Sequence, residues 1–167
     1  MWSDRGGELW LVLAGIGRRE DFAGRNVAAG QCALLDAARV WVSYTPFVPT
    51  RHAKARHTGE PKLDERGLQI GSPEHDLRRL LAERFAEPAR VAPLAGTVVG
   101  GRSTPWHAFR TVRAGGAGRR WTAAGYGFRL EFSEPVRGPI AVGYGAHFGL
   151  GTFTPADGDP AAAEVRS

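Results

Sequence analysis

Between Gly138 and Phe153 the chain reads GPIAVGYGAHFGLGTF, with glycines at 138, 143, 145, 149 and 151 set among apolar residues and one histidine, His147. Glycine serves tight turns and close backbone approach, and it leaves N–H groups available to an anion. Two readings follow. The segment is either a turn packed against a neighbouring strand, or a loop whose backbone at Gly143, Gly145, Gly149 and Gly151 meets a phosphate. The spacing is not G-x-G-x-x-G and no Lys-Ser pair follows it, so neither a dinucleotide fold nor a Walker loop is supported.

The rest of the chain supplies short elements around this segment. Residues 8–16 (ELWLVLAGI) form an apolar run between glycines and read as a buried strand. Residues 18–30 read as a loop, and Gln31–Arg39 has short helical periodicity through Leu34, Leu35 and Ala38. VWVSYTPF, 40–47, begins β-branched and aromatic and predicts a strand ended by Pro46 and Pro49. Residues 51–70 are polar and predict an exposed loop. The clearest helix starts at Ser72 as N-cap, with Pro73, Glu74 and Asp76 in the first turn and Leu77, Leu80, Leu81 and Phe85 on one face; Pro88 stops it. Residues 91–105 read as loop or short strand, and 106–113 (WHAFRTVR) as a strand. AGGAGRR, 114–120, reads as a basic turn, and GFRLEF, 127–132, alternates as a half-buried antiparallel strand that SEPVRGP breaks. The order predicts one α+β domain over 8–154, with a ferredoxin-like antiparallel sheet, helices on one face and a C-terminal glycine-rich loop. Residues 1–7 are expected to be a flexible N-terminus, and 155–167 a disordered tail.

Hydrophobic residues make up 43% and charged residues 23% of the chain, the balance of an ordinary globular protein. Net charge is +5, and all but Lys54 and Lys62 of the 22 cations are arginine. Arginine's planar fork binds phosphate in bidentate fashion and stacks on bases, which favours a nucleic-acid partner. One cysteine, Cys32, allows no internal disulfide and no cysteine-based zinc site. The N-terminus carries no secretory apolar run, and Leu9–Ile16 is too short to span a bilayer, so a cytoplasmic location and no membrane partner are expected.

The glycine-rich segment, preceded by the GFRLEF strand and a Pro-Val turn, resembles the C-terminal end of the type I-U (I-G) CRISPR-associated subunit that fuses a Cas-five-like and a Cas-six-like part. WVSYTPFVPTRHAK, 41–54, resembles the same family's upstream motif of a strand, T-P-F and an R-H-x-K basic cluster. The resemblance covers most of residues 8–154 and corresponds to the C-terminal, Cas-six-like part; the family protein is normally much longer. The glycine loop is also similar to that of the broader RAMP superfamily of RNA-binding proteins.

The resemblance implies cleavage of CRISPR repeat RNA into guide units, with no cofactor and no metal. The ribose 2′-OH attacks the adjacent phosphate, a base takes its proton, an acid protonates the leaving 5′ oxygen, and cations stabilise the phosphorane. Histidine suits the proton transfers. His52, in RHAKARH beside Arg51, Lys54 and Arg56, and His147, on the glycine loop, are the candidates, with Lys54 as a catalytic cation. His57, His75 and His107 read as loop, helical-turn and strand-start residues. Arg51, Arg56, Arg113, Arg119 and Arg120, with Arg102 and Arg110, are candidate phosphate contacts, and Trp106 or Trp121 candidate stacking residues. The partners implied are CRISPR repeat RNA and other subunits of a type I interference complex. The alternative is a RAMP-fold RNA-binding subunit of such a complex without cleavage activity.

Overall fold

A computed structural model of the chain describes residues 16–24, 26, 31–110 and 124–156. In chain order its elements are α1 (Arg19–Phe22), β1 (Ala37–Ser43), α2 (Pro73–Arg84), β2 (Arg90–Leu94), β3 (Gly96–Val99), β4 (Arg102–Pro105), β5 (Gly127–Arg137), β6 (Ile140–Ala141) and β7 (Thr152–Pro155). Short 3-10 turns occur at Ala33–Leu35, Trp106–Ala108 and Ala146–Phe148.

The helix signal is realised as read. The Ser72 hydroxyl accepts a hydrogen bond from the His75 N–H, Pro73 occupies the first turn, and Leu77 and Leu81 are fully buried. These leucines pack with Trp41, Phe47, Val91, Phe128, Leu130, Phe132, Ile140, Val142 and Phe153 in one core between α2 and the sheet.

The sheet has strand order β2-β5-β1-β7-β6, and every neighbouring pair is antiparallel. β1 and β2 therefore run parallel to each other with β5 between them, and α2 makes the connection. β5 and β7 likewise run parallel with β1 between them. Two interlocked split units of this kind are consistent with the expected ferredoxin-like α+β arrangement. In the second unit the connection carries β6 and the glycine-rich turn, where the first carries α2. A separate β3–β4 hairpin stands beside the main sheet.

Several local expectations give way to tertiary pairing. The periodicity of 31–39 yields only the Ala33–Leu35 turn, because Ala37 and Ala38 already pair with Arg137 and Val136 of β5 and are buried. SEPVRGP does not end its strand. Between Ala38 and Val40 the β5 partner jumps from Val136 to Glu131, a bulge that accommodates Pro135 without a ladder hydrogen bond and lets β5 run on to Arg137. Of the two readings of 91–105, loop or short strand, the short strand is realised, as β2, β3 and β4. In 106–113, Trp106–Ala108 is a 3-10 turn and Arg110 makes one bridge to Ala124; 111–113 lie outside the described residues. The 18–30 loop contains α1. At the far end, Pro155 belongs to β7 and Ala156 is buried, so the expected tail starts inside the fold. Of the buried strand expected over 8–16, only Ile16 is described, and it is exposed and in no strand; the basic turn 114–120, residues 1–7 and 157–167 lie outside the described residues. Among the described residues no helix is long and apolar enough to cross a membrane.

Leu81 sits at the centre of the helix–sheet contact, whereas Leu63 is exposed in the arm before α2. Leu81→Ala should lower unfolding stability by about 2–5 kcal/mol. Leu63→Ala should stay within about 0.5 kcal/mol of the unaltered chain. Urea denaturation of the pair measures this, and equal losses would contradict the core assignment.

Candidate nucleic-acid interface

Beyond Ser43 the chain leaves the sheet ladder but stays tied down on both sides. The Tyr44 and Thr45 N–H groups both donate to the Thr152 carbonyl, at 2.8 and 3.2 Å. The Thr45 hydroxyl donates to the Gly149 carbonyl at 2.6 Å and accepts from the Thr152 N–H at 2.9 Å. The Gly151 N–H donates to the Pro46 carbonyl and the Tyr144 N–H to the Val48 carbonyl. On the opposite side Phe47 and Tyr126 exchange backbone hydrogen bonds of 2.8 Å each way. The segment from Tyr44 to Val48 is thus the seat of the glycine-rich turn, and two stretches far apart in sequence form one hydrogen-bonded unit.

Close approach explains the glycines that touch this seat. Gly143 has φ +99°, and a Cβ there would lie 2.7 Å from the Phe47 ring. At Gly151, φ is +62° and a Cβ would collide with the Val142 carbonyl oxygen. Gly145 and Gly149, both left-handed, bracket the Ala146–Phe148 turn. The amides of Gly149 and Gly151, expected to face a ligand, donate inside the protein instead, to Ala146 and Pro46. Those of Val142, Tyr144, Phe148 and Leu150 do the same. What the turn turns outward is side chains: His147 and Phe148 are both exposed, their ring centres 4.0 Å apart and tilted by 47°.

The second element is a basic arm rooted on α2. The fully buried Asp76 carboxylate accepts from the Thr50 N–H at 2.6 Å, the Thr50 hydroxyl at 2.9 Å and the Arg51 N–H at 3.3 Å. Arg79 closes the other oxygen at 2.9 Å through Nη2. Past this root, residues 51–70 fold back as a ribbon: the Lys54 N–H donates to Ile70, the Lys62 N–H to Lys54 and the Arg56 N–H to Glu60. Gly71 lets the ribbon close, since at φ +77° a Cβ would strike the His52 carbonyl. Arg51, His52, Lys54 and Arg56 are all exposed along it. The Arg56–Glu60 ion pair, 3.8 Å and solvent-exposed, contributes little.

The structure therefore gathers Arg51, His52, Lys54 and Arg56 on the arm and His147 with Gly143, Gly145, Gly149 and Gly151 on the turn, both rooted in the stretch from Tyr44 to Arg51. Arg113, Arg119, Arg120 and Trp121 lie outside the described residues. Arg102 and Arg110 are exposed elsewhere, on β4 and after the Trp106 turn. Trp106 is not a stacking surface: it is buried, 5.7 Å from the Phe109 ring and over Gly127, where a Cβ would overlap the indole. His75 is structural, its Nδ1 accepting from the Gly71 N–H at 3.2 Å. His57 is exposed on the arm and His107 on the 3-10 turn. Sequence reasoning missed Asp76, read only as a favourable first-turn charge, and Phe148. The signal for Phe148 was its place between glycines, away from any alternating strand pattern.

Burial alone would push the Asp76 carboxyl up, but hydrogen bonds from Arg79 and Thr50, with the Arg79 charge, hold it below the usual carboxylate range. Burial likewise disfavours the Arg79 cation, yet its bonds to Asp76 and Glu83 raise its pKa. A carboxyl whose folded pKa is depressed stabilises the fold above its unfolded pKa of about 4, and that contribution is lost as pH falls through the folded value. Asp76→Asn should therefore cost about 1.5–3 kcal/mol at neutral pH and flatten the loss of stability below about pH 4. Denaturation at a series of pH values tests this; parallel curves for the two proteins would contradict it.

The chain matches no protein-family model, no curated protein and no solved structure.

Proposed function

We propose that this chain binds CRISPR repeat RNA in the cytoplasm and cleaves it by metal-independent 2′-OH attack, as the Cas-six-like part of a type I-U (I-G) subunit. One observation carries the reading. The two motifs that bear the family resemblance, 41–54 and 138–153, pack as a single hydrogen-bonded unit although about ninety residues separate them. An arginine-rich chain of net charge +5 adds the electrostatic attraction that a polyphosphate needs.

In this reading a repeat strand lies across the arm and the turn. Arg51 and Arg56 contact its phosphates. His52 and His147 divide the two proton transfers, taking the 2′-OH proton and returning one to the leaving 5′ oxygen. Lys54 stabilises the charge that builds on the phosphorane. The ribose supplies the nucleophile, so DNA of the same sequence binds without being cut.

The inward-turned amides of Gly149 and Gly151 favour a second reading, since they remove main-chain donors from the place where charge would develop. In it the chain is a non-catalytic RNA-binding subunit of a type I interference complex.

Incubating the protein with end-labelled repeat RNA in EDTA separates the two. Cleavage leaving a 2′,3′-cyclic phosphate is expected, and His52→Ala should slow it by roughly 10²- to 10⁴-fold while leaving binding intact. A gel shift without cleavage selects the second reading. If RNA binding is missing, or does not weaken steeply with salt, both readings fall.

A further inference from the structure

We infer that Phe148 is a stacking platform for one unpaired base of the bound RNA strand, with Tyr44 as its neighbour; this inference rests on the RNA-binding reading above. Apolar rings are normally withdrawn from water, and most of those described here are. Among the described residues, the large apolar side chains left exposed are Ile16, Tyr44, Leu63, Val98, Val99 and Phe148. Two of these carry an aromatic face, and they are not scattered. Tyr44 is the residue before Thr45, Phe148 is the residue before Gly149, and Thr45 and Gly149 are joined by the 2.6 Å hydrogen bond from hydroxyl to carbonyl. Phe148 is 82% exposed and Tyr44 65%.

The ring is presented by a fixed support. Its own N–H donates to the Gly145 carbonyl, and the next two amides donate to Ala146 and Gly145. The left-handed Gly145 and Gly149 set the shape of the turn, and the His147 ring tilts against Phe148 from one side. A sequence-tolerant single-strand site combines an exposed, uncharged π-face, on which bases stack, with cations that hold the phosphates. The cations are Arg51, Lys54 and Arg56, on the arm that follows Val48, whose carbonyl accepts a hydrogen bond from the Tyr144 N–H of the same turn. The net charge of +5 and the exposed cations of the arm favour a polyanionic strand over an apolar protein surface as the occupant. Val98 and Val99, on the β3–β4 hairpin, offer no π-face and carry no such argument.

The test is a fluorescence titration of a short unpaired oligouridylate carrying one 2-aminopurine, with the full chain and its Phe148→Ala and Phe148→Trp forms. The unaltered chain should quench the probe on binding. Phe148→Ala should lose the quenching and bind roughly 5- to 100-fold more weakly, and Phe148→Trp should restore both. The slope of log affinity against log salt should be the same in all three, because the phosphate contacts are untouched. Unchanged affinity and quenching in Phe148→Ala would overturn the inference and leave the ring to a protein contact, and so would a loss that tryptophan does not repair. If the unaltered chain shows no salt-dependent binding, the RNA-binding reading beneath it falls as well.

Discussion

The hydrogen bonds along one strand and its continuation hold the molecule together. β1 is bonded to β5 on one edge and, over Trp41, Val42 and Ser43, to β7 on the other, so its second half lies in the middle of the sheet. Where the ladder ends, at Ser43, the chain does not fall away into solvent. From Tyr44 to Val48 it is bonded to the glycine-rich turn on one side and, through Phe47, to Tyr126 on the other, and at Thr50 and Arg51 it is caught by Asp76. Phe47 and Val48 are buried along this route, so apolar packing and backbone bonding reinforce each other.

That route explains why glycine is needed so often near the C-terminus. A loop with a wide gap to its neighbours tolerates many residues. This one passes so close to Phe47, Val48 and its own Val142 carbonyl that a Cβ at Gly143 or Gly151 has no room. The amides of Val142, Tyr144, Gly149 and Gly151 are drawn into the same close contacts. Glycine here makes backbone-to-backbone packing possible, and the outward chemistry of the turn passes to the side chains of His147 and Phe148.

What could be read from the sequence follows the range of the interactions involved. The helix at 73–84 was legible because Ser72, Pro73 and the leucine spacing act within a few residues of one another, and the alternation of Phe128, Leu130 and Phe132 likewise marks its strand locally. Ala37 and Ala38 were not legible as strand: alanine has little strand preference, and only pairing with Val136 and Arg137, about a hundred residues away, puts them there. Pro135 looked like a terminator because the bulge that accommodates it depends on a partner strand. For the candidate site, the sequence marked His52, Lys54, Arg51, Arg56 and His147 as chemically suitable, but not that their two loops share a root. It also left Asp76 as one acid among several, since its role comes from Thr50 and Arg51 arriving from outside the helix.

The shared root has a mechanical consequence. The stretch from Tyr44 to Arg51 is at once the floor under the glycine turn and the stalk of the basic arm, pinned at its far end by Asp76. A displacement of the turn that pulled on Thr45 or Val48 would be felt two or three residues later at Thr50, where the carboxylate resists it. Any ligand that displaced one loop through this span would bias the other, and by thermodynamic reciprocity the influence would run equally in both directions. Two loops hung from one span, held at both ends by hydrogen bonds, share whatever displaces it.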